Sequence, residues 1–429
     1  MRRQLIIVSS LTAIAQILGF IKLWITARLF GVGPELDGYF LALVVPTLIS
    51  GVLTGLLQTS LFPVRAKLAK EQGSLVVARF ERSVLLILLA IGISVAGISY
   101  IAAPQLIQWS GERLTPSVYE TVLFVLPFVA LLIPLNAVGD GLAYLLAMRD
   151  HYPIAAAAPI VNALFGSALL ALWPEGGLLN LALGTVIGLA LQVTICLVGL
   201  VSTKFHLLGS LPASDELSQE WLAMARLSAW IFPGVIFSNL SATLPIALIA
   251  DYGEGAVSAF GYAWRFHQFA IQLLVMAVSP VLLSHIANLV ASGDEDRLRR
   301  LLLNGIWFSL ITGMSAAVVV GFFGQSILAV MFQGRFDAVA ASRVSEHWLW
   351  LSISLVPALL GSIYAKVWQA RGLAWIMSLL AGFGLVVFLM VFQLLSGVLE
   401  SHSIAAAVGA SSLAVTLAGW TFAWRPVKK

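Results

Sequence analysis

Long apolar runs, separated by short polar or charged stretches, follow one another along the whole chain. Most run to about twenty residues or more, the length an α-helix needs to cross a ~30 Å hydrocarbon core at 1.5 Å per residue. Strand-type alternation is absent from them, which argues against a membrane β-barrel. The pattern predicts twelve helices, near 5–30, 37–62, 80–103, 118–147, 153–173, 178–201, 223–250, 256–290, 301–324, 344–369, 374–398 and 403–424. Arg2 and Arg3 before an apolar stretch, with Ala13-Ile14-Ala15 behind it, resemble a signal peptide. The apolar run continues through Ile17–Phe30, so it is expected to be a retained first span.

Composition agrees with the pattern. Of 429 residues, 60% are hydrophobic and 10% charged, with mean hydropathy +0.98; soluble domains carry about 25% charged residues. The single cysteine, Cys196, rules out an internal disulfide framework and is expected to be a buried, inert thiol. Placing the N-terminus in the cytoplasm puts eighteen Lys and Arg residues in inner loops and ends against four in outer ones. By the positive-inside rule both termini are then cytoplasmic. The net charge of +4 thus follows topology, and nucleic acid is not an expected partner.

An internal repeat divides the chain. "AKEQGSLVVARFER" matches "LVASGDEDRLRR", with Gly73 over Gly293 and Arg79 over Arg299, both 220 apart. "IPLNAVGDGLAYLLAMRD" resembles "VPALLGSIYAKVWQARG", aligning Pro134 near Pro357 and Arg149 near Arg371. The expected architecture is an all-α polytopic membrane protein: a six-helix bundle over 1–205, a cytoplasmic linker over 206–222, and a second bundle over 223–429. Six is even, so the repeats run parallel, about an axis along the membrane normal, and a cavity between them is a transporter's arrangement.

Charge inside the spans marks candidate chemistry. Lys22 and Arg265 each lie about 12–14 Å from the outer end of their helix. A cation at that depth costs roughly 2.5–3.5 kcal/mol and usually faces a cavity. Two of them, one per half, point to an anionic ligand. Asp37 opens the second helix, where it is expected to act as a cap. Asp140, in "LNAVGDGLAY", either counters a cation or carries a proton. His267 lies on another face from Arg265 and is expected at the interface. No metal ligand set is expected.

"ILGFIKLWITARLFGVGPELDGYFLALVVP", "AAPIVNALFG", "GAVSAFGYAWRFHQFAIQLLVMAVSPVLLSHIA" and "MFQGRF" together resemble the MurJ (MviN) family. These are lipid II flippases of the multidrug/oligosaccharidyl-lipid/polysaccharide (MOP) exporter superfamily. The resemblance implies that Arg265 is the cavity arginine at the head of the eighth helix. The family's first helix carries two cavity arginines, and here Gln16 and Lys22 occupy those places. Its charges in the second helix are missing from "PTLISGVLTGLLQTSLFP". Members usually have fourteen helices, against twelve expected here. Some hold sodium on carboxylates of helices 7, 11 and 12, which this chain lacks.

The resemblance implies a non-enzymatic, cofactor-free flippase of the bacterial cytoplasmic membrane. It would move a polyprenyl-diphosphate-linked sugar outward by alternating access. Arg265 and Lys22 would hold the diphosphate, with Gln16 hydrogen-bonding nearby, while Asp37 and Asp140 would serve gating or coupling. Membrane lipids and enzymes of cell-envelope glycan synthesis are the implied partners. A Wzx-like exopolysaccharide or O-antigen flippase is the alternative. A MATE-type cation antiporter fits less well, since it needs a cavity carboxylate where this chain places a lysine. A membrane scaffold and an intramembrane enzyme fit least; neither H-E-x-x-H nor G-x-S-x-G occurs.

Overall fold

The computed structural model describes residues 2–110, 114–203, 205 and 217–424. Most of the expected linker, 206–216, lies outside these residues, as do Arg113, Lys204, Arg425, Lys428 and Lys429 from the charge count.

Fourteen α-helices are present among the described residues: α1 (Arg2–Phe30), α2 (Pro34–Glu71), α3 (Gly73–Ser110), α4 (Pro116–Ala130), α5 (Leu132–Ala147), α6 (Tyr152–Leu172), α7 (Gly177–Ser202), α8 (Ser218–Leu248), α9 (Ala256–Ser292), α10 (Glu295–Met331), α11 (Ala338–Ile353), α12 (Leu355–Ala370), α13 (Ala374–Leu399) and α14 (His402–Ala423). Among the described residues, ten segments are long and apolar enough to cross a membrane, α4 and α5 forming one of them, and the bent pair α11–α12 makes an eleventh. At 37 residues, α9 extends for about 55 Å, ample for another crossing.

Several helices outrun their expected ends. The predicted loop after the second span shrinks to Gln72, between Glu71 of α2 and Gly73 of α3. Apolarity marks only the lipid-embedded part of a helix; its charged ends remain helical beyond that zone. Gly73 and Gly293 both take left-handed backbone, φ +78° and +70°, a conformation that favours glycine where one helix stops and the next begins.

Two compact units emerge from the contacts: Met1–Leu29 with Leu41–Val235, and Phe30–Phe40 with Ile236–Lys429. The expected linker at 206–222 is therefore not where the contacts divide. The first part of α8 belongs to unit one, where Trp221 meets buried Phe80 with ring centroids 5.4 Å apart. The Phe30–Phe40 segment belongs to unit two.

The repeat reappears inside each unit. The fourth crossing breaks at Leu131 in unit one and at Ser354 in unit two, and a proline follows three residues later, Pro134 and Pro357. Proline cannot donate its nitrogen to the carbonyl one turn back and its ring crowds that carbonyl, which accounts for the break. A glycine of the preceding crossing seats against each break. A Cβ on Gly92 would lie 2.6 Å from Pro134 Cα, and one on Gly313 2.9 Å from the Val356 nitrogen. Apolar surface gains little by leaving lipid for protein, so such close approach does much of the work of holding membrane helices together.

Charge pairs close the end of each unit that bears Arg149 or Arg371. In unit one, fully buried Glu81 of α3 pairs with Arg65 at 3.0 Å and with Arg149, whose guanidinium stands 5.2 Å from the Phe205 ring. In unit two, Arg371 pairs with Glu295 of α10 at 3.5 Å and donates to the carbonyls of Phe422 and Ala423 at the end of α14. A cation there meets the negative end of the helix dipole.

Candidate functional site

Within unit two, the Phe30–Phe40 segment is bound onto the start of α9. The N-cap of α9 is Gly255, φ +82°, which has no side chain to offer. Asp37 supplies the missing group: it is 1% exposed and accepts the backbone N–H of Gly255 at 2.5 Å and of Ser258 at 2.6 Å. The carboxylate thus caps α9, not its own helix as the sequence led us to expect, and its charge faces the positive end of the α9 dipole. Two more bonds tie the segment down. Gly33 N–H donates to Ser258 Oγ at 3.1 Å, and the buried Tyr262 hydroxyl donates to the Gly31 carbonyl at 3.1 Å.

One helical turn links this contact to the arginine. Gly261 has no Cβ, and one placed there would sit 2.8 Å from the Phe40 ring. The ring therefore lies directly on α9. At the next position on that face, Arg265 holds its guanidinium carbon 5.3 Å from the Phe40 centroid, a cation–π contact. Arg265 remains exposed although it lies nine residues, about 14 Å, into α9. The ring thus positions the guanidinium, and no ion pair engages it among the described residues. His267 is not interfacial: it is buried and lies against Trp264, ring centroids 5.6 Å apart. Its position two residues on turns it into the unit and away from the arginine's face.

Within unit one, Lys22 projects from α1 toward α6 and α7. Its Nζ donates to Thr185 Oγ1 at 2.7 Å, and a Cβ on Gly166 would lie 3.0 Å from the same nitrogen. The glycine leaves the seat that the ammonium occupies. Gln16 lies six residues earlier on α1, about 9 Å along the axis and on a different face, so the helix does not bring it beside Lys22. Asp140 accepts from Thr54 Oγ1, and no ion pair reaches it among the described residues. The counter-charge role weighed for it is therefore not realised within its unit.

Sequence reasoning missed the residues that position these charges: Phe40, Gly261, Thr185, Gly166 and Thr54. One signal was present, since "DYGEGAVSAF" begins a helix without a capping side chain and so asks for a cap from elsewhere.

Comparison with known proteins supplies the family. Residues 26–429 match the family model described as lipid II flippase MurJ. The lipid II flippase MurJ of Burkholderia cenocepacia is 24% identical over 384 residues, 86% of this chain and 73% of that protein. A probable lipid II flippase MurJ of Buchnera aphidicola subsp. Acyrthosiphon pisum is 25% identical over 366 residues, 80% of this chain and 68% of that protein. Among solved structures, a lipid II flippase MurJ in an inward closed conformation aligns with TM-score 0.84 at 17% identity, covering 97% of this chain and 87% of the other. An inward-facing MATE family multidrug transporter of the MOP superfamily aligns with TM-score 0.75 at 13% identity over 97% and 93% of the two chains. These structures share the fold, and the match over residues 26–429 makes the chain a member of the lipid II flippase MurJ family.

Proposed function

We propose that this chain carries a polyprenyl-diphosphate-linked sugar, lipid II or a close relative, from the cytoplasmic to the outer leaflet of the bacterial inner membrane by alternating access. The observation that carries the reading is Arg265: an arginine deep in a membrane helix, its guanidinium set against Phe40 and engaged by no ion pair among the described residues. Such a group is costly unless it meets an anion, and its planar fork suits phosphate oxygens. Lys22 is a second cation within a membrane helix, and Gln16 a neutral donor on that same helix. Asp37 serves as a latch at the outer end of α9. Both termini lie in the cytoplasm, in keeping with the charge bias of the loops. Enzymes that build cell-envelope glycans are the partners this cargo requires. A cytoplasm at negative potential favours outward movement of each cargo charge by ~2.3 kcal/mol per 100 mV.

The test is transport in proteoliposomes offered lipid II, a second polyprenyl-diphosphate glycan and a cationic dye in parallel. Diphosphate-linked cargo should cross and the dye should not. Dye transport without lipid translocation overturns the reading.

A further inference from the structure

Two polar rungs join α2 to α5 inside unit one. Asn136 donates through Nδ2 to Ser50 Oγ at 3.3 Å, and one turn along Thr54 donates to Asp140 Oδ2. Each rung's residues stand four positions from those of the other rung, so they share one face of their helix. The stripes continue at the same spacing with Gln58 on α2 and Tyr144 on α5. They end where the Tyr144 ring meets Phe62 edge-on, centroids 5.6 Å apart. A polar lane thus runs between two membrane helices.

The surroundings of Asp140 explain its aim. It stands between Gly139 and Gly141. A Cβ on Gly139 would lie 3.2 Å from Val193 of α7, and one on Gly141 2.9 Å from Leu88 of α3. The two glycines let α3 and α7 close on α5 from either side, while the carboxylate turns toward α2. The groups that meet the carboxylate are Thr54 from α2, Cys196 from α7 and Tyr144 from its own helix, and the side chains of α3 beside the neighbouring Gly141 are Leu85 and Leu88. None is a cation. Thr54 engages Oδ2, no hydrogen bond to Oδ1 is seen among the described residues, and the residue is part-buried. An intramembrane carboxylate held by a single hydroxyl is expensive when charged and is relieved by taking up a proton.

We infer that Asp140 is a proton-binding site through which a pH gradient drives transport. A proton enters on Oδ1 from the outer side and leaves to the cytoplasm as the cargo moves outward, while Thr54 stays on Oδ2. The transport half rests on the flipping reading above; the proton site itself does not. Inward proton and outward anion both move with a negative cytoplasm, so the two charge movements add.

Two measurements on the whole 429-residue chain in lipid test this. Infrared difference spectra on pH titration, with no cargo present, should show a protonated-carboxyl band that Asp140→Asn lacks. In sodium-free proteoliposomes containing lipid II, with the potential held at zero by potassium and valinomycin, an imposed pH gradient should speed wild-type flipping several-fold. In Asp140→Asn the ratio of rates with and without the gradient should fall to one. An unchanged band in the variant, an undiminished gradient response, or a response to sodium alone overturns the proposal. If Asp140→Asn does not fold, Thr54→Val decides: the band's midpoint must move, and an unmoved midpoint overturns the site. Wild type that moves no lipid II under any gradient refutes the flipping reading, while the infrared band still decides the proton site.

Discussion

Gly92 of α3 lies against Pro134 of α5 so closely that no side chain fits between them. The equivalent pair in unit two is Gly313 and Val356. Leucine at either glycine should lower thermal stability in detergent by the ~1–3 kcal/mol typical of overpacking. Gly97→Leu is the control, since Gly97 is exposed with nothing near its Cβ position. Equal melting temperatures for all three would dismiss the packing role.

Asp37→Ala should loosen the first turn of α9. Removing the carboxylate strands two backbone N–H groups, at ~1–3 kcal/mol for each buried donor left unsatisfied. Hydrogen exchange at Ser258 should rise about tenfold or more, with the end of α9 near Ser292 unaffected. Asp37→Asn, which retains an acceptor, should show a smaller increase.

Arg265→Ala should reduce lipid II flipping by about tenfold to a hundredfold, the range set by charge-assisted hydrogen bonds of ~1.5–3 kcal/mol. Lysine should restore only part, because it lacks the fork. Phe40→Leu should cost less, in keeping with a cation–π contact of ~0.5–2 kcal/mol. Normal flipping by Arg265→Ala at matched expression would reject the cation's role.

Gly166→Ala offers a test of Lys22 that leaves the lysine in place. The added methyl would lie 3.0 Å from the ammonium nitrogen and crowd it where it bonds Thr185. Flipping should then fall toward the rate of Lys22→Ala, measured in the same vesicles. A Gly166→Ala protein at full rate beside an impaired Lys22→Ala would show that the ammonium's seat is irrelevant.

Orientation can be settled by labelling. With the buried Cys196 replaced, Ser74→Cys should react with an impermeant thiol reagent only from the cytoplasmic side. Glu175→Cys should react only from outside. Both positions are exposed. Neighbouring Gly176 is a poor choice, since its Cβ would collide with the Asn180 amide. The reverse labelling pattern would invert the topology.

The crossings were legible in the sequence because lipid demands about twenty apolar residues in a row, and no other constraint imitates that. Lys22 and Arg265 stood out for the same reason, as cations in places where charge is costly. Their partners did not. Thr185 lies 163 positions from Lys22, and a threonine in an apolar run carries no mark of what it bonds. Phe40 is one aromatic among many. Asp37 was misjudged because capping rules are local, whereas here the bare helix end and its carboxylate come from distant parts of the chain. The glycines at 92 and 313 drew no attention in helices rich in small residues; only the broken crossing opposite each gives it meaning.

The assignment of Phe30–Phe40 to unit two has a consequence for anyone who would cut this protein in half. A break within 206–216 would leave the C-terminal fragment without Asp37 at the head of α9, without the Gly31 carbonyl for Tyr262, and without Phe40 beneath Arg265. That fragment would be incomplete on its own, and the N-terminal fragment would carry a segment with nothing to bind. Activity should return only when both are made in the same cell, by complementation, and the duplicated halves cannot be treated as interchangeable parts.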